Sequence, residues 1–420
     1  MNTKTRNFII TVGSIIGLFI GFILGIVIKK TGWVIGLSTM PFFELIGKLW
    51  VILIILLVIP LITAYMINVI LSMVNTKILG KLGAYSLWVH LIFIIVGVAT
   101  SIIFSLSVLE LIGDKLPTLV VNGKVIEESS KSIQSTTNVI EYLVSLGTSV
   151  QKILGKIVLY IIFGSIVLAL LISIFFKSLS KKLIIISKLV SEKSMKWLQG
   201  YLLTLPIAVF VLIIPMASQT GYTVVGVVGS FLILICILLI LCTGLIYVSV
   251  HFFGSESVSS FARAIIPSQI IAFSSRSSMS ALPSLMQDAE TKMGIPKTIS
   301  AIILPFFVTL FRLNRVISSP FNYIFLFYVY QLHLDIPTFI YFTLTQIVIS
   351  SGTPGIPSAG KLLTIPIYVA YGAPLEGIIL IKVVDAIPDM FKTLLNVTEV
   401  MAVTTIVAKK AKWKFGENLI

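Results

Sequence analysis

The sequence predicts an all-α polytopic membrane protein with eight transmembrane helices and two re-entrant helical hairpins. Of its 420 residues, 57% are hydrophobic and 11% are charged, with a mean hydropathy of +1.09. This leaves too little polar surface to coat a soluble body of this size. Two runs rich in small hydroxyls, glycine and proline, Ser274–Pro283 and Ser350–Lys361, each separate short apolar arms. Such runs interrupt helices, and paired interruptions are typical of the binding site of a secondary transporter.

The spans are justified by apolar runs bounded by polar or basic segments. In the first span, glycines recur at every fourth position from Gly13 to Gly25, which predicts close packing against another helix. This run is longer than a signal sequence and lacks a cleavage site, so we expect a membrane span. The lysine-rich segment Lys177–Lys196 predicts a cytoplasmic connection, and Gly113–Asn138 predicts an external loop. The predicted spans are Phe8–Ile28, Phe42–Met73, Tyr85–Leu111, Lys152–Phe176, a fifth ending near Met216, Val224–Phe253, Thr298–Tyr330 and Leu375–Ala408, with hairpins around Ser277 and Gly355.

The charge pattern indicates a membrane orientation and argues against nucleic-acid binding. The net charge is +15, but the basic residues lie between apolar spans and in the last ten residues, so they follow the positive-inside rule. We therefore expect an inner-membrane protein with both termini in the cytoplasm. The two cysteines, Cys236 and Cys242, lie within one apolar run and indicate neither a disulfide framework nor a metal site. No cofactor is predicted.

The last third of the chain carries ionisable residues inside apolar spans. A lone charge at the bilayer centre costs at least about 2.5 to 3.5 kcal/mol, so such residues are candidates for function. Along a helix, Asp385, Asp389, Lys392 and Asn396 are spaced by four, three and four residues and would share one face. A structural ion-pair stripe is the alternative explanation. The candidate charges are Arg276, Arg312, Arg315, Asp385, Asp389 and Lys392.

Three motifs resemble the glutamate and aspartate transporters of the dicarboxylate/amino acid:cation symporter family. RSSMSALP at Arg276–Pro283 and SGTPGIPSAG at Ser351–Gly360 resemble the tips of that family's two hairpins. DAIPDMFKTLLNVT at Asp385–Thr398 is similar to its substrate-binding helix. IPLIT at Ile59–Thr63 and LPIAVF at Leu205–Phe210 give weaker support. The resemblance covers nearly the whole chain.

The resemblance implies inverted repeats, an elevator mechanism and a homotrimer embedded in the lipid bilayer. It implies scaffold parts at residues 1–80 and 112–222, transport-domain parts at residues 81–111 and 223–410, and a cytoplasmic tail at residues 411–420. Asp389 matches the residue that binds the substrate amino group, and Lys392 matches the arginine that binds the side-chain carboxylate. The remaining substrate positions are Arg276, Ser277, Ser278, Gly355, Ile356, Gly360, Thr393 and Asn396, with Arg312, Arg315 and Asp385 beside them.

The sequence departs from the family at the positions that bind sodium. The segment FRLNR at Phe311–Arg315 stands where the family has Asn-Met-Asp-Gly-Thr, and Val400 stands where it has an aspartate. The tyrosine, threonine and serine of span three are replaced by His90, Phe93 and Ile94. Sodium needs several oxygen ligands, and the side chains of Phe311, Leu313, Val400, Phe93 and Ile94 supply none. No metal is therefore predicted, although a site built from backbone carbonyls at the second hairpin stays open.

These features predict a carrier of an acidic amino acid or dicarboxylate that works without obligatory sodium coupling. One alternative is a proton-coupled carrier, with His90, Asp385 and Asp389 as the candidate titrating groups. Because lysine is a less demanding carboxylate partner than arginine, Lys392 also admits cystine or a neutral amino acid as substrate. An anion channel or a binding protein that does not transport is a further alternative. An enzyme is not expected, because the sequence has no catalytic triad, metal cluster or phosphate loop.

Overall fold

The computed structural model describes residues 3–32, 39–75, 80–119, 136–254, 256–350 and 364–415. Within these ranges all regular secondary structure is helical. Short 3₁₀ turns lie at Gly113–Lys115 and Leu202–Thr204, and a π-helical turn at Val250–Gly254 ends α7. The α-helices are α1 Thr3–Thr31, α2 Met40–Asn75, α3 Gly80–Ile112, α4 Thr136–Phe175, α5 Lys177–Tyr201, α6 Leu205–Thr220, α7 Thr223–Ser249, α8 Val258–Ser275, α9 Ser278–Thr291, α10 Lys297–Leu310, α11 Leu313–Val329, α12 Ile336–Ser350, α13 Ile365–Ala370, α14 Leu375–Val383 and α15 Ala386–Phe415.

The prediction of an all-helical polytopic membrane protein is confirmed. Among the described residues, 7 helical stretches are long and apolar enough to cross a membrane. The predicted fourth span lies within α4, which runs for 40 residues and begins well before Lys152. The seven stretches are Val12–Thr31, Met40–Leu61, Gly83–Lys115, Leu179–Thr220, Thr223–Gly254, Lys297–Val329 and Ala386–Lys410.

The glycine face of α1 packs against α6 of the same chain. A Cβ atom added to Gly17 would lie 2.5 Å from the carbonyl oxygen of Pro206, and one added to Gly25 would lie 2.7 Å from the carbonyl oxygen of Ile214. The two backbones approach so closely that only glycine fits at these positions. The predicted role of the glycine series is therefore confirmed, and its partner is α6.

The lysine-rich segment, predicted to be a cytoplasmic connection, is helical and forms α5. Apolar residues recur between its lysines, so the segment has one face that packs against α2. On α2, the Asn68 side-chain amide donates to the carbonyl oxygen of Ile184, at 3.1 Å, and to the Ser187 hydroxyl, at 3.3 Å. A high density of lysine is compatible with a helix when the lysines occupy the exposed face.

The first hairpin is formed by α8 and α9, and its non-helical tip is shorter than the predicted Ser274–Pro283. Arg276 ends α8 in the left-handed conformation, with φ of 53°. The Ser277 hydroxyl caps the N-terminus of α9 by accepting from the backbone N–H of Ser280. Because this cap starts a new helix at once, only two residues separate the arms.

Two spans that we predicted to be continuous are each broken in the middle. The span Thr298–Tyr330 is divided into α10 and α11 by Phe311 and Arg312, whose φ and ψ angles are −110° and 142°, and −138° and 77°. The span Leu375–Ala408 is divided into α14 and α15 at Val384 and Asp385. The first break contains no glycine or proline, so tertiary contacts hold the chain there. At the second break, Pro388 in the first turn of α15 cannot donate to the carbonyl oxygen of Val384, which favours an interruption of the helix.

The second hairpin begins with α12, and α13 follows its tip. Residues 351–363, which include the tip motif, lie outside the described residues. The predicted site residues Gly355, Ile356 and Gly360 fall in this segment. Asp335 begins the hairpin by accepting at Oδ2 a hydrogen bond of 2.9 Å from the backbone N–H of Thr338. Hydrogen bonds from the side chain of Thr338 and from its backbone lower the pKa of the Asp335 carboxyl.

Most of α15 is buried, and the other helices of the C-terminal half pack around it. It contacts α3 and α7 on one side, and α8, α9, α10 and α11 on the others. The Gln269 side-chain amide on α8 donates to the Thr398 hydroxyl on α15 at 2.7 Å, and the Tyr247 hydroxyl on α7 donates to the Gln269 carbonyl at 2.9 Å. These contacts position the charged N-terminal half of α15 beside the first hairpin.

We predict that Gly17→Ala destabilises the protein by about 1 to 3 kcal/mol, because its methyl group overlaps the Pro206 carbonyl. Gly244→Ala is the matched control, since no heavy atom lies within 4 Å of the added Cβ on α7. Thermal unfolding in detergent measures both changes. Equal effects of the two substitutions would contradict the packing of α1 on α6.

Candidate functional site

The site is formed where the tip of the first hairpin meets the break between α10 and α11. Arg312, which lies in the break, donates from Nη1 to the hydroxyl of Ser278 at 3.2 Å. Ser278 is buried at the first turn of α9. The other terminal nitrogen of Arg312, Nη2, is buried and has no hydrogen-bond partner among the described residues. A guanidinium N–H group left in this state is available to an acceptor that enters the site.

The start of α15 contributes two carboxylates and a lysine to the same region. The Lys392 ammonium donates to Oδ1 of Asp385, and both side chains are buried. Asp385 therefore balances the charge of Lys392 in this structure. Asp389, half-buried one turn further along, lies within electrostatic range of Arg312. The predicted common face of Asp385, Asp389 and Lys392 is thus present, although Asp385 precedes the helix.

Asn396 holds the broken span in place. Its side-chain Oδ1 accepts a hydrogen bond of 2.9 Å from the backbone N–H of Asn314, in the first turn of α11. That N–H has no partner within its own helix, so Asn396 acts as a cap supplied by another helix. The Thr393 hydroxyl donates to the carbonyl oxygen of Asp389 at 2.7 Å. This cap explains how a helix begins at Leu313 without a local capping side chain.

Three further predicted site residues belong to the hairpin tip and to the start of α11. Arg276 and Ser277 form the tip of the first hairpin and are half-buried. Arg315 lies in the first turn of α11, within electrostatic range of Arg312 and of Tyr368 in α13.

Apolar side chains fill the positions that the resemblance matched to the family's sodium ligands. Phe93, Ile94, Phe311, Leu313 and Val400 are all buried. The Phe311 ring packs against Phe307, with ring centroids 4.9 Å apart. These residues offer no side-chain oxygen to a cation, so an ion held there would depend on backbone carbonyls.

The sequence predicted only one partner of a buried histidine–glutamate pair. His90 on α3 and Glu399 on α15 are joined by Nδ1 and Oε1 at 2.7 Å, and both are almost fully buried. His90 was a candidate, but Glu399 was not. The signal was available, because Glu399 follows Asn396 by three residues and extends the polar series along the helix.

Asp288, also missed, braces the first hairpin. It lies on α9, is buried, and accepts at Oδ2 from the hydroxyls of Ser268 and Ser284. Its other oxygen pairs with Lys292 at 2.7 Å. Since these partners lie on both arms, Asp288 stabilises the hairpin, and it does not reach the tip.

A helical hairpin meeting a broken span and a charged, buried helix defines a membrane transport protein of the secondary-carrier class. Residues 10–410 match the model of the sodium:dicarboxylate symporter family, and the chain belongs to that family. The resemblance found in the three motifs is therefore confirmed. So is the prediction that the chain is a transporter and not an enzyme, because the family consists of symporters.

Relatives of known function are similar along most of the chain. The proton/sodium-glutamate symport protein of Bacillus subtilis (strain 168) is 27% identical, over 91% of this chain and 89% of the relative. The proton/glutamate-aspartate symporter of Escherichia coli (strain K12) is 25% identical, over 88% of this chain and 84% of the relative. The excitatory amino acid transporter 3 of Mus musculus is 29% identical over 152 residues, which are 36% of this chain and 29% of the relative.

We predict that Lys392→Met destabilises the protein by about 3 to 5 kcal/mol, because the buried Asp385 loses its charged hydrogen bond with Lys392. The double variant Asp385→Asn with Lys392→Met is expected to recover most of this loss. Lys193→Met, on the exposed face of α5, is the matched control. The coupling is measured by denaturant unfolding of the wild type, the single variants Asp385→Asn and Lys392→Met, and the double variant. Additive effects of the two substitutions would contradict the pair.

Proposed function

We propose that the protein transports an acidic amino acid or a related dicarboxylate across the membrane. The observation that carries this proposal is the unpartnered, buried Nη2 of Arg312 at the tip of the first hairpin, within electrostatic range of Asp389. An amino acid with a second carboxylate needs one anion, one cation and several neutral donors around it. Asp389 and Arg312 supply the two charges in one place. The printed names of the relatives, which are glutamate or glutamate-aspartate symporters, support the same substrate class.

In this proposal Asp389 binds the substrate ammonium and Arg312 binds the side-chain carboxylate. The resemblance assigned the second role to Lys392, but its ammonium is directed at Asp385. Arg312 has the free N–H group and a planar fork that suits a carboxylate. Thr393, Asn396 and Ser278 provide neutral groups nearby.

We further propose an elevator movement of a transport domain against a scaffold, in a homotrimer of the inner membrane with cytoplasmic termini. The helix contacts support the division, because α1 packs along α6 and α2 packs on α4 and α5. The helices α3, α7 to α11 and α15 instead pack on one another. The concentration of lysines between the predicted spans supports the orientation.

Counterflow tests the proposed substrate. Liposomes containing the protein and preloaded with unlabelled aspartate are expected to take up labelled aspartate, and empty liposomes are not. Failure of aspartate, glutamate and simple dicarboxylates to exchange would overturn the proposal.

We predict that Arg312→Gln weakens the binding of aspartate by about 100-fold and that of asparagine by less than about threefold, because only aspartate loses a charged partner. Arg263→Gln, on the exposed side of α8, is the matched control. Calorimetric titration of both ligands measures the difference. Equal losses for aspartate and asparagine would remove Arg312 from the carboxylate role.

We propose that transport does not depend on sodium. By linkage, an ion raises substrate affinity only when its own binding is favoured in the substrate-bound state. The apolar side chains at Phe93, Ile94, Phe311, Leu313 and Val400 give a cation few ligands. Arg312 lies in the same segment, and its positive charge would repel a cation over a few ångströms in a low-dielectric interior.

We therefore predict that the dissociation constant of aspartate changes by less than about threefold when sodium replaces choline at constant ionic strength. Calorimetric titration in the two buffers measures it. A change above about tenfold, which corresponds to about 1.4 kcal/mol of coupling, would mean that a cation site built from the backbone is present.

A further inference from the structure

The buried pair of His90 and Glu399 lies away from the charged start of α15 and has no role in the substrate site described above. Its Nδ1–Oε1 distance is 2.7 Å, and the exposed fractions of the two residues are 3% and 1%. The Phe307 and Phe311 rings flank the imidazole, with centroids 5.4 and 4.6 Å from its centre. Both contacts are T-shaped, so the imidazole is surrounded by apolar aromatic surface.

The pair can take up protons one at a time. With no proton the pair is negative, with one it is neutral, and with two it is positive. An apolar interior strongly disfavours a net charge, so the state with one proton between the imidazole and the carboxylate is favoured. Loss of that proton leaves the Glu399 carboxylate buried without a counter-charge. A single proton is thus held at a defined place inside the membrane-spanning part of the molecule.

The helices packed around the pair bring few other ionisable groups. The described part of α7 has no charged residue, only Cys236, Cys242 and Tyr247, and α10 has only Lys297, at its first residue. Asp389 and Lys392 lie two or more turns from Glu399 along α15, and Lys409 and Lys410 lie at its far end. On α3, the charged groups are Lys81 and Glu110, near the two ends. The other elements packed on α15 carry His251 in the π-helical turn, Arg263 on α8, Asp288 and Glu290 on α9, and Arg312 and Arg315 at the break.

The pair is connected to the substrate site through the break. Phe311, which packs on His90, is followed directly by Arg312, and Arg312 donates to Ser278 at the hairpin tip. A change in the charge of His90 alters the packing of Phe311, and with it the position of the guanidinium. We propose that His90 and Glu399 form a proton-binding site whose single proton binds together with substrate and crosses the membrane with it. This inference rests on the proposed function.

The test uses the full-length protein in liposomes and separates exchange from proton-driven uptake. Counterflow of labelled aspartate without a pH gradient reports the proposed function alone. Uptake driven by an alkaline lumen, with a pH-sensitive dye inside, reports proton movement. The variants are Glu399→Gln and His90→Gln, with Glu399→Asp as the conservative change and Glu192→Gln, on an exposed position of α5, as the matched control.

We predict that Glu399→Gln and His90→Gln keep counterflow within about threefold of the wild type and lose both gradient-driven accumulation and substrate-dependent acidification of the lumen. Glu399→Asp is expected to retain part of both, and Glu192→Gln all of both. In the wild type, aspartate affinity falls by up to about tenfold per pH unit above the pH at which the pair loses its proton, whereas in Glu399→Gln it is independent of pH. If the pair only joined α3 to α15, aspartate affinity would have the same pH dependence in the wild type and in Glu399→Gln.

Proton-driven accumulation by both Glu399→Gln and His90→Gln would overturn the inference. The inference would also be overturned if the wild type exchanged aspartate in counterflow but accumulated none under a pH gradient. The proposed function would then stand without the proton-binding site. Absence of wild-type counterflow would overturn the proposed function and this inference together. If Glu399→Gln does not fold, as judged by thermal unfolding, His90→Gln decides the outcome by the same measurements.

Discussion

The need to balance every buried charge determines the arrangement of the C-terminal half. An ionised side chain within the bilayer requires an opposite charge, a hydrogen-bonding shell or a water-filled cavity. In the described residues, Lys392 is balanced by Asp385, and Glu399 is paired with His90. Both pairs involve α15, so the packing of this helix is governed by its charges as well as by its apolar surface. Nη2 of Arg312 has no hydrogen-bond partner among the described residues, and it is the group that we propose to bind a ligand.

Local signals in the sequence predicted most of the architecture. Long apolar runs predicted the spans, because hydropathy over about twenty residues needs no knowledge of tertiary structure. The glycine series from Gly13 to Gly25 predicted a close helix contact, since the absence of side chains is itself the feature that permits it. The spacing of Asp389, Lys392 and Asn396 predicted one polar helix face, and the structure has that face directed at the first hairpin.

Features set by contacts between distant segments could not be predicted. The break at Phe311 and Arg312 contains no helix-breaking residue and is capped by Asn396, 82 residues away. The partner of His90 lies 309 residues further along the chain. The helical state of α5 depends on the packing of its apolar face against α2, whereas the density of lysine indicated only a cytoplasmic connection. The second hairpin tip, on which three site residues fall, lies outside the described residues.

The close approach of α1 and α6 has a mechanical consequence. The glycines of α1 lie against the backbone of Pro206 and Ile214, so a shift of either helix along the other by one residue would drive a branched side chain into the space that now holds only hydrogen atoms. Steric contact therefore prevents α1 from sliding along α6 at each of the four glycines. The helices α1 and α6 therefore form one rigid unit. Any displacement that accompanies transport has to occur between this unit and the helices around it, and not between α1 and α6.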